Sequence, residues 1–177
     1  AEQLPTAGLI ERGREVLDAV LDEIGEQPPP TPKRALMSLV WNYVLLRGRG
    51  MRWTERDESE IPPRELFRLD VFITLGLTLA LVDTIRGALY QVRGLRLALR
   101  VGEPRRLLET LETLGTLAAP EVEAERSLQI AWARLSLGEV EQALADAARA
   151  RALQPATERY LEQAGLIARR AGRPDRA

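Results

Sequence analysis

Gly138-Glu139-Val140-Glu141-Gln142-Ala143 and Gly172-Arg173-Pro174-Asp175-Arg176-Ala177 align without a gap, 34 residues apart. Ala131 and Gly165 repeat at the same distance, so the spacing belongs to a unit and not to one hexapeptide. The pattern of a glycine with a small or apolar residue five places on recurs at Gly8/Gly13 and Gly102/Leu107. A glycine takes positive φ at little cost, so it can end one helix and turn the chain sharply into the next. A small residue five places later lets the two helices cross closely. Ala143, Ala147 and Ala150 continue that narrow face along the second helix, and Pro155 stands after it as a stop. The alternative reading of the same residues is a generic alanine-rich helical hairpin.

Helical punctuation extends to the rest of the chain, and convincing strand alternation is absent. Thr31-Pro32 reads as an N-cap with proline at the first helical position, launching Arg34 to Leu46. Ser59 with Pro62-Pro63 is expected to open a helix running through Leu66, Leu69, Phe72 and Leu75 towards Val82. Asp83-Thr84 caps the next, through Ile85, Leu89, Val92 and Leu99 to Gly102. Pro120 with Glu121, Glu123 and Glu125 loads acids into a first turn, where the helix dipole favours them. Leu9 to Gly25 and Leu107 to Leu117 are two further helical segments, with Pro28-Pro29-Pro30 as a stiff connector. About eight helices result, joined by short loops.

Residues 124 to 177 resemble one tetratricopeptide repeat and most of another, with Ala131, Gly138, Ala143, Ala150 and Pro155 on signature positions. Ser127 and Arg134 depart from that pattern, standing where it prefers tryptophan and tyrosine. A second resemblance covers residues 1 to about 106. It is carried by Arg56-Asp-Glu-Ser-Glu-Ile-Pro-Pro-Arg-Glu-Leu66, Val82-Asp-Thr-Ile-Arg-Gly-Ala-Leu-Tyr90 and Leu97-Ala-Leu-Arg-Val-Gly-Glu-Pro104. These segments are similar to the helical-repeat region C-terminal to the kinase and ATPase modules of very large bacterial serine/threonine kinase-like proteins. The resemblances imply an all-α solenoid of antiparallel, tetratricopeptide-like helix hairpins over residues 1–177. Within it, 1–106 is the kinase-associated segment and 107–177 holds the repeats, the last cut short. The expectation is an excised or truncated segment, or one whose open end is covered by another chain.

Composition excludes much enzyme chemistry. With no histidine and no cysteine there is no imidazole base, no catalytic thiolate, no disulfide and no ordinary tetrahedral zinc site. Lys33 is the only lysine, and it lies between Pro32 and Arg34 outside any phosphate-binding loop; no kinase tripeptide occurs either. No cofactor is expected. The acidic group Asp57, Glu58 and Glu60 lacks the spacing and turn glycine of a calcium loop and reads as a solvated lead-in to a helix. A net charge of -1 makes no electrostatic case for nucleic acid or an anionic membrane. The apolar run Val71 to Val82 spans roughly 18 Å as a helix, short of a bilayer core of about 30 Å. Without a signal peptide in view, the expected location is cytoplasmic.

Two surfaces stand out as candidates for a partner. Arg86, Arg93, Arg96 and Arg100 recur at near-heptad spacing, with Arg105 and Arg106 beyond and Glu103 the only acid among them. One reading is a basic stripe on a groove helix that recruits an acidic or phosphorylated segment; the other is a solvated face pairing with acids of a neighbouring helix. Trp132, with Leu128 and Leu135 one turn either way, reads as a groove-facing hot spot or, if the helix is rotated, as core. Arg169 and Arg170 are counted with these candidates. Trp41, Tyr43, Trp53, Phe67, Phe72, Tyr90 and Tyr160 sit in apolar-periodic segments and are expected to fill the core. The expected function is a non-catalytic scaffolding or regulatory module of a bacterial signalling protein, holding a peptide or helix in a concave groove. The competing expectation is a small-ligand sensor. An enclosed pocket near Phe72, Leu75 and Tyr90 would favour the sensor, and an open groove lined by arginines and Trp132 the peptide binder.

Overall fold

The computed structural model describes residues 16–114, 120–154 and 157–172. Among them the regular structure is helical, without a strand: α1 (16–23), α2 (Pro32–Arg49), a 3-10 turn (Glu58–Glu60), α3 (Pro63–Ala80), α4 (Thr84–Val101), α5 (Pro104–Thr113), α6 (Pro120–Ser136), α7 (Val140–Leu153) and α8 (Glu158–Ala171).

Local chemistry sets most of the boundaries. Thr31 Oγ1 accepts the Arg34 amide and Asp83 Oδ1 accepts the Arg86 amide, each capping a helix start. α5 begins at Pro104, three residues before the expected Leu107, because the Glu103 carboxylate accepts both the Arg105 and Arg106 amides at 2.9 and 2.7 Å. Ser59 does not cap α3. It lies in the separate 3-10 turn, which Asp57 caps, and α3 starts at Pro63 with no side-chain cap. α3 stops at Ala80, leaving Leu81 and Val82 exposed at the turn into α4.

Gly102 and Gly138 make equivalent turns, at φ 78° and 79°. Each is followed by a glutamate and, five residues on, by a fully buried residue, Leu107 or Ala143. Gly172 closes α8 at φ -80°, so its local conformation differs from that of Gly138. The counterparts Gly8 and Gly13, Pro155, and residues 173–177 of the second repeat lie outside the described residues, as do residues 9–15 of the expected segment Leu9 to Gly25 and residues 115–117 of the segment Leu107 to Leu117.

α4 is the central helix, packed by α2, α3 and α5, and α6 carries the packing onward to α7 and α8. Small residues set the α3–α4 approach. A Cβ on Gly87 would stand 2.5 Å from the Ala80 nitrogen, and one on Gly76 would stand 2.7 Å from Gln91 Cγ. The main core joins α1 to α5 with Ile130 and Ala133 of α6. A second core under α6, α7 and α8 holds Ala124, Leu128, Ala131, Ala147, Ala150, Tyr160 and Ile167. Fully buried leucines such as Leu69, Leu95 and Leu107 each contribute about 2 kcal/mol.

Polar contacts tie α6 and the segment after α2 to their neighbours. Arg126 of α6 donates to the Leu111 carbonyl at the end of α5, at 3.0 Å. Ser136 donates to Glu55 at 2.8 Å, and the Arg56 amide donates to the Gly102 carbonyl at 2.9 Å. The segment between α2 and the 3-10 turn is thereby held against both α4 and α6.

The expectation that all the aromatics fill the core fails for three of them. Trp41 is 62% exposed, and Tyr43 and Phe67 are each 44% exposed. α2 is apolar around most of its circumference, but of the helices from α2 to α8 only α4 packs extensively on it, and Trp41 and Tyr43 stay exposed. Phe72, Tyr90 and Tyr160 are buried, and Trp53 packs beside the main core.

Candidate binding groove

α2 and α4 form one wall of an open cavity of about 740 Å³, and the opposite side is closed by Glu125 of α6 with Arg159 and Tyr160 of α8. Leu39, Val40, Tyr43 and Leu46 line it from α2; Ala88, Val92 and Leu95 line it from α4. Met51 and Leu114 add apolar surface, and Arg47, Arg49, Arg52 and Arg159 ring it with cationic groups. A second, more polar cavity of about 340 Å³ continues from it, since Arg52 and Arg159 line both. Trp53, Glu55, Leu128, Gln129, Trp132 and Arg170 border this extension.

The chain folds this way locally because Arg49 clamps the segment after α2. Its guanidinium donates to the Leu99 carbonyl at 3.0 Å and the Arg52 carbonyl at 3.3 Å. Burial lowers the Arg49 pKa, and the fields of Arg96 and Arg100 lower it further. These side chains crowd positive charge at the C-terminal ends of α2 and α4, where the helix dipole favours cations. On the far side, Arg159 pairs with Glu125 at 3.1 Å, and Glu125 also accepts from Gln129 at 2.9 Å. Arg47 and Arg52 make no ion pair among the described residues.

The expected arginine stripe lies elsewhere. Arg93 and Arg96 do share a face of α4, but that face meets α2 and the connector before it. Arg93 donates to Glu26 at 2.6 Å and to Ser38 at 3.1 Å, while Arg96 donates to Asn42. Arg86 pairs with Asp83 and reaches the Pro29 carbonyl. Arg100 is exposed, and neither it nor Arg93 nor Arg96 lines the cavities. Arg106 joins Glu58 and Asp70 at 3.0 and 2.7 Å, and this raises its pKa, first through the hydrogen bond to Asp70.

Within the Trp132 group, Leu128 is 1% exposed and belongs to the second core, at the floor of the smaller cavity. Trp132 is half-buried in the wall, with the Arg170 guanidinium 6.0 Å from its ring centroid. Leu135 packs on the second core and does not line the cavity, and Arg169 is exposed on α8. The trio is therefore divided between core and wall, with Trp132 its groove-lining aromatic.

Phe72 and Tyr90 stack with ring centroids 6.0 Å apart inside the main core, and Leu75 packs against that core; none of them lines either cavity. No group of three or more metal-ligating side chains occurs among the described residues. Asp57 accepts from Ser59 twice, which lowers its pKa. No helix there is long and apolar enough to cross a membrane.

Sequence reasoning missed Val40, Tyr43, Arg47, Met51, Arg52 and Arg159. One signal for them existed: α2 carries apolar residues on nearly every side, more than a single packed face uses. Comparison with protein-family models, curated proteins and solved structures finds no match to this chain.

Proposed function

We propose that the chain is a non-catalytic protein-interaction module, a tetratricopeptide-like solenoid serving as scaffold or regulator in a bacterial signalling protein. The observation that carries this reading is the open, apolar-floored groove running from α2 and α4 to Trp132 and Arg170. Such a floor with polar rims suits a helix or peptide laid along it. The glycine turns at Gly102 and Gly138, and the buried face of Ala143, Ala147 and Ala150, support the solenoid part of the reading. Kinase association rests on the resemblance of residues 1–106 alone. Any catalysis would reside in other parts of a parent protein.

The test is selection of binders from a displayed library of random peptides, using the full chain as bait. Enriched peptides should lose binding to Tyr43→Ala and Trp132→Ala chains that retain their helical circular dichroism. Peptides indifferent to both substitutions would count against the groove. A small-ligand sensor remains the second reading, favoured by one observation: about 740 Å³ falls within the range of small-molecule pockets.

A further inference from the structure

The α2 wall of the groove is unusual for a helix in water. Val40 and Tyr43 line the groove at 54% and 44% exposed, and Leu36 and Val44, at 49% and 53%, extend that side over more than two turns without lining the cavity. A helix apolar around most of its circumference is normally covered on both sides, yet of the helices from α2 to α8 only α4 packs extensively on α2. An apolar strip of that length, roughly 12 Å, accommodates about two turns of another helix.

The charge around the strip is one-sided. α2 contains Lys33, Arg34, Arg47 and Arg49 and no acidic residue. At the groove, Arg47 and Arg52 have no carboxylate partner among the described residues, whereas Arg93, Arg106, Arg126 and Arg134 are ion-paired elsewhere in the fold. Among the described residues Glu125 is the only acid lining the larger cavity, and Arg159 pairs with it. A second copy of α2 laid antiparallel on the first would set Lys33 and Arg34 against Arg47 and Arg49, like charge on like. Charge complementarity instead asks for an occupant with carboxylates beside an apolar stripe.

We infer that the groove is built for an acidic amphipathic helix of a partner protein, its apolar stripe on Val40, Tyr43 and Val92 and its carboxylates on Arg47 and Arg52. This rests on the reading of the groove as a peptide site and adds the chemistry of its partner. Arg49 also lines the cavity, so a third guanidinium stands at the same rim.

The test titrates the full chain with two fluorescein-labelled model helices that share a leucine stripe. One carries glutamate and the other lysine at every remaining position. The glutamate helix should bind at least about tenfold tighter, the usual scale for charge matching across an interface, and its affinity should fall with added salt. In an Arg47→Glu/Arg52→Glu chain the preference should vanish or invert. Equal binding of both helices, abolished by Tyr43→Ala, would overturn the charge assignment and leave the groove as a peptide site. Failure of the glutamate helix to bind would overturn the assignment too, and the library selection then decides the groove separately. Capture of the chain by phosphatidylserine vesicles, uncontested by the glutamate helix, would assign the surface to lipid and contradict the proposal.

Discussion

Glu26 accepts a hydrogen bond from Arg93 at 2.6 Å and also pairs with Arg68, so one carboxylate in the connector before α2 holds arginines of both α3 and α4. Its side chain is 14% exposed. Glu26→Gln should therefore cost about 2 kcal/mol, the scale of lost hydrogen bonds to charged groups. Arg100→Gln, at an exposed position without an ion pair among the described residues, should change stability by less than about 0.5 kcal/mol. Urea unfolding of the two variants checks the contrast.

Gly87→Ala should destabilise the chain by about 2 kcal/mol or more, the cost of forcing extra volume into a packed contact. The new Cβ would meet the Ala80 backbone at 2.5 Å, and backbone cannot rotate away as a side chain can. Gly165→Ala should do the reverse. Its Cβ meets nothing within 4 Å in the middle of α8, so it should gain about 0.5–1 kcal/mol from helix propensity. Thermal unfolding followed by circular dichroism separates the two signs.

Gly102→Ala combines left-handed φ with a Cβ 2.1 Å from the Thr54 carbonyl oxygen. The expected loss exceeds about 2 kcal/mol. The segment carrying Met51 and Arg52 should detach at the same time, because the Gly102 carbonyl holds Arg56. Faster amide exchange over residues 50–57, relative to α7, reads this out.

Helix starts were legible where the deciding chemistry is local, as at Thr31-Pro32 and Asp83-Thr84. So was the alanine face of α7, because three residues at helical spacing specify it. The α3–α4 seam was not, since Gly76 and Gly87 acquire meaning only once Gln91 and Ala80 lie opposite them. The arginine pattern on α4 was visible, but its direction depended on Glu26 and Asn42, 67 and 54 residues away. Periodicity likewise placed Trp41 and Tyr43 on an apolar helix without showing which of its sides another helix covers.

Glu123 accepts two hydrogen bonds from Arg126, at 2.7 and 2.9 Å, and one from Arg149 at 3.2 Å. Those bonds from Arg126, with the charges of Arg126 and Arg149, hold its carboxyl below the ordinary 4.5. A lowered folded pKa means stabilisation that is full above 4.5 and lost as pH falls through the folded value. Glu123→Gln should therefore cost about 2 kcal/mol near neutrality and approach wild type in strong acid. Unfolding curves across pH 3 to 7, roughly the window in which a carboxylate titrates, check the sign.

Hydroxyl-radical footprinting with a library-selected peptide tests the groove most directly, because it reads side-chain exposure residue by residue. Tyr43, Met51 and Trp132 line the groove, whereas Met37 is 72% exposed outside the set of lining residues and Phe67 lies on α3. Bound peptide should shield Tyr43 and Met51, and Trp132 where the peptide reaches the extension, while Met37 and Phe67 oxidise as before. Shielding confined to Met37 or Phe67, with Tyr43 and Met51 unchanged, would contradict the groove as the peptide site.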